Sequence, residues 1–100
     1  MDPDLPDLSI ADVVISTAGR DAGLLFYVIA ADDTYLTLVD GKHRSFEKPK
    51  LKKRKHAVKV LRSETRVAEK LRSGDKVLNS ELRRDLAYIS RELQGKSLGG

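Results

Sequence analysis

The sequence predicts a mostly β domain with a C-terminal α part: a small, strongly curved five-stranded sheet or barrel, then one short and one longer helix. Two observations carry this expectation. Apolar residues recur with the alternating period of strands up to about residue 61, and with the spacing of helices beyond it. Turn-forming residues punctuate the first part at short, regular intervals. A chain of 100 residues, 40% of them hydrophobic, has material for one modest core and none for a deep two-lobed cleft.

The first strand follows Ala11, where Val13 and Ile15 alternate with Val14 and Ser16. Residues 18–23, Ala-Gly-Arg-Asp-Ala-Gly, form a turn before a second strand at 24–31, which is rich in aromatic and β-branched residues. Asp32-Asp33-Thr34 reads as the next turn and not as a catalytic carboxylate pair, because neighbouring strand residues point to opposite faces. A third strand spans 35–39, and Asp40-Gly41 has the composition of a hairpin turn. The fourth strand is expected at 42–47, ending before Lys48-Pro49 because proline cannot donate to a ladder. The fifth is expected at 57–61, anchored by Val58 and Leu61.

Ser63 is the expected cap of a short helix that carries Val67 and Leu71 four apart and stops at Ser73-Gly74. The longer helix starts at Asn79 or Ser80 and runs to about Leu93. Its stripe of Leu82, Leu86, Ile89 and Leu93 is expected to close the open end of the barrel. The resulting organisation is an acidic flexible segment at 1–8, a barrel at 9–61, a helical extension at 62–94 and a flexible tail at 95–100.

Charge is unevenly placed. Residues 1–41 hold eight acids against Arg20 alone, a net −7, whereas residues 42–59 hold nine bases against Glu47 alone, a net +8. In an extended backbone Lys52, Arg54 and His56 face one side and Lys53 and Lys55 the other, so neither side is expected to face a core. Such self-repulsion is relieved by a polyanion whose counterions are released on binding. The competing readings are a solvated lysine-rich edge that deters strand-to-strand aggregation and a nuclear-import signal, which has the same composition. Arg20, at the tip of the first loop, is placed either to reach a phosphate or to stand exposed and paired to Asp21.

Other classes lack their signatures. There is no Cys, hence no thiolate nucleophile, disulfide framework or cysteine-ligated metal. No Gly-x-Ser-x-Gly elbow occurs, and the glycines at 19 and 23 lack the Lys-Ser/Thr of a P-loop. His43 and His56 lie among cations that would repel a metal ion. The chain is therefore read as a non-enzyme without cofactor or small-molecule substrate. The longest apolar run, at 24–31, is far short of the roughly 18 residues of a membrane span, and the acidic N-terminus is unlike a secretory signal. The expected location is cytoplasmic, with no membrane partner.

Residues 13–28, Val-Val-Ile-Ser-Thr-Ala-Gly-Arg-Asp-Ala-Gly-Leu-Leu-Phe-Tyr-Val, resemble the KOW motif, a strand, loop and strand centred on one glycine, here Gly23. The segments Asp40-Gly41-Lys42-His43-Arg44 and 47–56 are similar in order and spacing to the bacterial KOW proteins grouped with the archaeal and eukaryotic large-subunit ribosomal protein "fourteen-e". The resemblance covers about residues 9–61 and, more loosely, the helix start at 79–83. It implies an SH3-like five-stranded barrel that binds RNA, with large-subunit ribosomal RNA the usual partner and translation the setting. By motif position Gly23 is the structural glycine, Arg20 the loop residue nearest the RNA, and Lys50, Lys52, Lys53, Arg54 and Lys55 contact the backbone. Lys42, Arg44 and Lys48 extend this cationic set. Ala11 departs from the motif, which commonly has Gly there.

The leading expectation is thus a ribosome-associated RNA-binding protein that reads phosphates and few bases, in contact with ribosomal proteins as well. There is no Trp, and the five aromatics fall mainly in apolar positions. A protein-interaction adaptor using the barrel or an exposed C-terminal stripe is the alternative, and duplex DNA binding a third.

Overall fold

The structure, a computed structural model, describes residues 8–99, with side chains to residue 95. The acidic segment expected at 1–8, Leu8 apart, therefore lies outside the described residues, as do Gly100 and the side chains of most of the expected tail. Five strands, β1 (Asp12–Ser16), β2 (Leu25–Ala31), β3 (Tyr35–Val39), β4 (Lys50–Lys53) and β5 (Ala57–Arg62), form one sheet of order β4-β3-β2-β1-β5. Every neighbouring pair is antiparallel. Two helices follow, α1 (Arg66–Ser73) and α2 (Asn79–Gly99).

The two edge strands are consecutive in the chain, joined only by a 3-10 turn at Arg54–His56. A flat five-stranded sheet is about 19 Å across, whereas a three-residue 3-10 turn advances about 6 Å, so the sheet must curl to bring its edges together. Register shifts between Val13 and Val14 and between Val28 and Ala30 supply the local bends. The turn is fastened on both sides, Arg54 N–H donating to Thr34 O and Thr17 N–H to His56 O, each at 2.9 Å.

Curling gives the sheet two covered faces. Val14, Phe26, Val28, Leu36, Leu38 and Ala57 fill the concave side with Leu8. Val13, Tyr27 and Val39 project the other way and meet Val67, Ala68, Val77, Leu82, Leu86 and Ile89 from the helical part. Leu82, Leu86 and Ile89 of the α2 stripe are therefore buried, Leu82 fully, and Leu93 partly so, and the stripe packs on the outer face of the sheet instead of closing an open end. Its end also differs from expectation: the helix continues past Leu93 to Gly99.

Three local expectations are corrected. Residues 42–47 are not a strand, because side chains claim the backbone donors that a ladder would use. Asp40 Oδ1 accepts from the N–H groups of Lys42, His43 and Arg44, and Asn79 Oδ1 accepts from Phe46 N–H. The fourth strand instead begins after Pro49, at Lys50. Thr65, not Ser63, caps α1 by accepting from Ala68 N–H, while Gly74 ends it at φ 77° as expected. Val58 is half exposed and does not anchor β5, whose buried residue is Ala57.

Ser63 is freed from capping by a more important task. Tyr27 OH donates to Asp85 Oδ2 of α2 and accepts from Ser63 Oγ at 2.8 Å, while Thr65 Oγ1 donates to the same carboxylate oxygen at 2.9 Å. This network ties β2, the start of α1 and the middle of α2 together under the apolar stripe. Burial and the hydrogen bond to Asp85 push the Tyr27 phenol from 10.0 up to about 12.

Ala11, where the resembled motif has Gly, adopts φ 73° at the third position of a turn closed by Asp12 N–H donating to Ser9 O. That is the position at which a type II turn favours glycine. Its methyl is nonetheless fully buried in the helix-facing cluster. Relief of about 1 to 2 kcal/mol of left-handed strain by glycine is offset by about 0.8 kcal/mol of lost methyl burial and up to about 1 kcal/mol of unfolded-chain entropy. Ala11→Gly should thus leave the urea midpoint nearly unchanged, whereas Ala11→Val, branched and without room, should destabilise by about 3 kcal/mol or more.

A raised phenol pKa stabilises the fold below pH 10.0 and loses that contribution as pH rises through about 12. Denaturant titrations across this range should show a loss of about 3 kcal/mol. Tyr27→Phe should be less stable at neutral pH and should lack this alkaline decline.

Candidate nucleic-acid interface

A lysine in the inward half of a strand must bring its own partners, and Lys52 does. In the β3–β4 register Lys50 and Lys52 stand opposite Leu38 and Leu36, so both share the concave face, while Leu51 and Lys53 point outward. Lys52 is 7% exposed. Its ammonium donates to Ser16 Oγ at 2.9 Å, Ala18 O at 2.8 Å and Asp21 Oδ1 at 2.6 Å, satisfying all three N–H groups and the charge. The expectation that neither side of the basic run faces a core is thereby corrected, and Lys52 is a structural cation. Burial raises the Asp21 carboxyl, but hydrogen bonds from Lys52 and Ser16 and the charges of Lys52 and Lys50 outweigh it and hold it below 3.8.

This interaction positions the β1–β2 loop. Gly19 and Gly23 take φ of 81° and 90° within it, and Ser16 O accepts from Gly23 N–H at 2.8 Å. Beyond its own chain neighbours, no atom lies within 4 Å of where a Gly23 Cβ would stand, so backbone conformation, not close packing, accounts for this glycine. Arg20 is exposed at the loop tip.

The β3–β4 loop is organised by the other buried acid. Asp40, 7% exposed, accepts its three backbone N–H groups through Oδ1, and His43 Nδ1–H donates to Oδ2 at 2.9 Å. Burial raises this carboxyl too, yet the donors from Arg44, His43 and Lys42 prevail and hold it below 3.8. Gly41 presses on α2: a Cβ there would lie 2.1 Å from Asn79 O. Asn79 Nδ2 donates back to Glu47 Oε2 at 3.0 Å.

Together the two loops and β4 enclose a cleft of about 550 Å³. Arg20, His43, Arg44 and Lys50 line it, Leu24 and Phe26 form its apolar part, and the Lys52–Asp21 pair forms one wall. Among the described residues no acid forms an ion pair with Arg20, Arg44 or Lys50. Three cations from separate segments therefore converge on one open concavity in excess over its one acid, Asp21, which is paired with Lys52 and also feels Lys50, an arrangement suited to an anion.

The remaining sequence-derived cations are placed differently. Lys48, Lys53 and Lys55 are exposed but outside this cleft. Arg54 Nη1 donates to Asp32 O at 2.7 Å, bracing the β2–β3 turn, where Asp32 Oδ1 accepts from Thr34 and Tyr35 N–H as a turn acid should. Lys42 lies across Leu24 in a second cleft beside α2. Sequence reasoning missed the organising role of Asp21 and Asp40. Asp40 followed by glycine and a polar run carried a readable signal, whereas Asp21 meets Lys52 only through the fold.

No protein-family model matches the chain, and comparison with curated proteins finds no match. Among the described residues no group of three His, Asp or Glu side chains could hold a metal ion, and no helix is long and apolar enough to cross a membrane.

Because Asp21 is depressed only in the folded state, the Lys52 site contributes fully above pH 3.8 and loses that contribution as pH falls through the lower folded value. Lys52→Met should cost on the order of 3 kcal/mol at neutral pH by leaving a mostly buried carboxylate unpaired. In acid titrations of stability the gap from wild type should narrow below pH 3.8, and Asp21→Asn should recover part of the loss in a double-mutant cycle.

Proposed function

We propose that this protein binds folded RNA through the sugar-phosphate backbone, with the cleft between the β1–β2 loop, the β3–β4 loop and β4 as its primary contact. The observation that carries the reading is the convergence of Arg20, Arg44 and Lys50 on that cleft, none of them in an ion pair among the described residues. Guanidinium groups suit phosphate oxygens, to which they donate paired hydrogen bonds. The cleft's one benzene ring, Phe26, is fully buried, which leaves the His43 imidazole as its exposed ring and favours backbone over base recognition.

The resemblance of residues 9–61 to KOW domains supports ribosomal RNA of the large subunit as the target, in the cytoplasm, with neighbouring ribosomal proteins as secondary contacts. The adaptor reading that uses the C-terminal stripe loses its surface, since Leu82, Leu86 and Ile89 are buried against the sheet, whereas the one that uses the barrel keeps its own. DNA shares the phosphate chemistry and enters as a competitor in the test.

In fluorescence anisotropy with an RNA hairpin, replacing Arg20, Arg44 and Lys50 together by Gln should weaken binding by roughly a hundredfold. It should also lower the dependence of log K on log salt by about two to three, equally for unrelated sequences. Unchanged affinity would remove the cleft from the site. Cosedimentation with the large ribosomal subunit, lost in the same variant, is the expected cellular result; migration at the top of the gradient would discard the ribosomal target.

A further inference from the structure

The loop held by Asp40 sends its cations in two directions. Arg44 and His43 line the cleft already described, whereas Lys42 lines a neighbouring one of about 410 Å³ between the sheet and α2. Leu24 lines both, so the two concavities adjoin along a ridge at Gly23 and Leu24. On the far side α2 presents Arg83, Ala87 and Ser90, spaced as one helical face. Arg83 and Lys42 are exposed, and among the described residues neither forms an ion pair with an acid. The acid lining this cleft, Asp40, is already engaged by His43 and three backbone N–H groups.

We infer that Lys42 and Arg83 form a second phosphate site, and that one RNA strand crosses the Gly23–Leu24 ridge with its backbone held on both sides. This rests on the RNA-binding reading and adds α2, which lies mostly outside the KOW resemblance, to the contact surface. The ridge is low where the strand would cross, because Gly23 is exposed and the space beside it is empty. The relative position of the two sites is fixed: Gly41 is wedged against Asn79, and Asn79 Oδ1 holds Phe46 N–H at 3.0 Å, so the loop that bears Lys42 and the helix that bears Arg83 move as one body. A small apolar side chain, Ala87, and a hydroxyl, Ser90, leave room and a donor beside the cations.

The test uses the full chain and an RNA hairpin of about 16 base pairs, enough to span two successive grooves. The paired variant Lys42→Gln with Arg83→Gln should bind roughly tenfold more weakly and lower the salt slope by between one and two. Lys76→Gln, exposed between α1 and α2 and lining neither cleft, serves as the control for net charge and should leave the slope unchanged. Thermal melts should coincide for all variants, since none of these side chains is buried. If wild type fails to bind the hairpin, the RNA-binding reading itself falls. If wild type binds, and the triple variant of Arg20, Arg44 and Lys50 is weakened while the Lys42 and Arg83 pair is not, the second site alone is overturned. An equal loss in the Lys76 variant overturns it as well, by reducing the effect to net charge.

Discussion

An ammonium group leaves water at high cost unless its charge and all three donors are met, and the Lys52 site meets both requirements from a single strand end and loop. Its consequence is the register of β4. Sliding that strand by one residue would turn Leu51 inward and Lys50 and Lys52 outward, which hydrophobicity alone would favour by about 2 kcal/mol for the leucine. The strand does the opposite, leaving Leu51 61% exposed. The contacts of Lys52 with Ser16, Ala18 and Asp21 distinguish the observed register from its neighbour. With that register chosen, Lys50 faces the cleft and the β1–β2 loop is fastened with Arg20 at its tip.

The second constraint is that the sheet is covered on both sides. A curled sheet of short strands has one interior, and its outer surface is ordinarily wet. Here Val13, Tyr27 and Val39 extend the core outward to meet α1 and α2. Tyr27 belongs to both environments, since its ring is apolar cover and its hydroxyl ends in the Ser63, Thr65 and Asp85 network. Directional bonds from one buried phenol fix where along α2 the sheet attaches, a choice that a stripe of leucines four residues apart would leave degenerate by a helical turn.

Elements whose determinants are local were legible in the sequence. β1, β2 and β3 followed from alternation and turn residues, and the stop of α1 from Gly74. The fourth strand was not, because its exclusion from 42–47 depends on Asp40 and Asn79 capturing backbone donors, and Asn79 is 33 residues from Phe46. The basic run was legible as charge but not as geometry. Composition marked residues 42–59 as one cationic block, whereas the fold distributes it among a buried ion pair at Lys52, a turn brace at Arg54, an exposed outer set and the cleft-facing Arg44 and Lys50. Arg83 lay beyond any sequence argument, since it joins Lys42 only after α2 docks.

The opposing charges of the two halves also look different once placed. A net −7 over residues 1–41 and +8 over residues 42–59 suggest two surfaces that shield each other. Yet Asp12 meets Lys59 at 3.2 Å, Asp21 meets Lys52 at 2.6 Å and Asp40 meets His43 at 2.9 Å, with Asp12 and Asp40 buried and Asp21 mostly so. Those acids are consumed inside the domain, each holding a strand or loop in place. Asp32 is likewise committed to its own turn. Neutralisation is thus selective by position: Asp21 and Asp12 pair with Lys52 and Lys59, while among the described residues no acid forms an ion pair with Arg20, Arg44 or Lys50 around the cleft. A chain with a small net charge thereby presents a concentrated positive field at one place, and it does so with the same ion pairs that stabilise the fold.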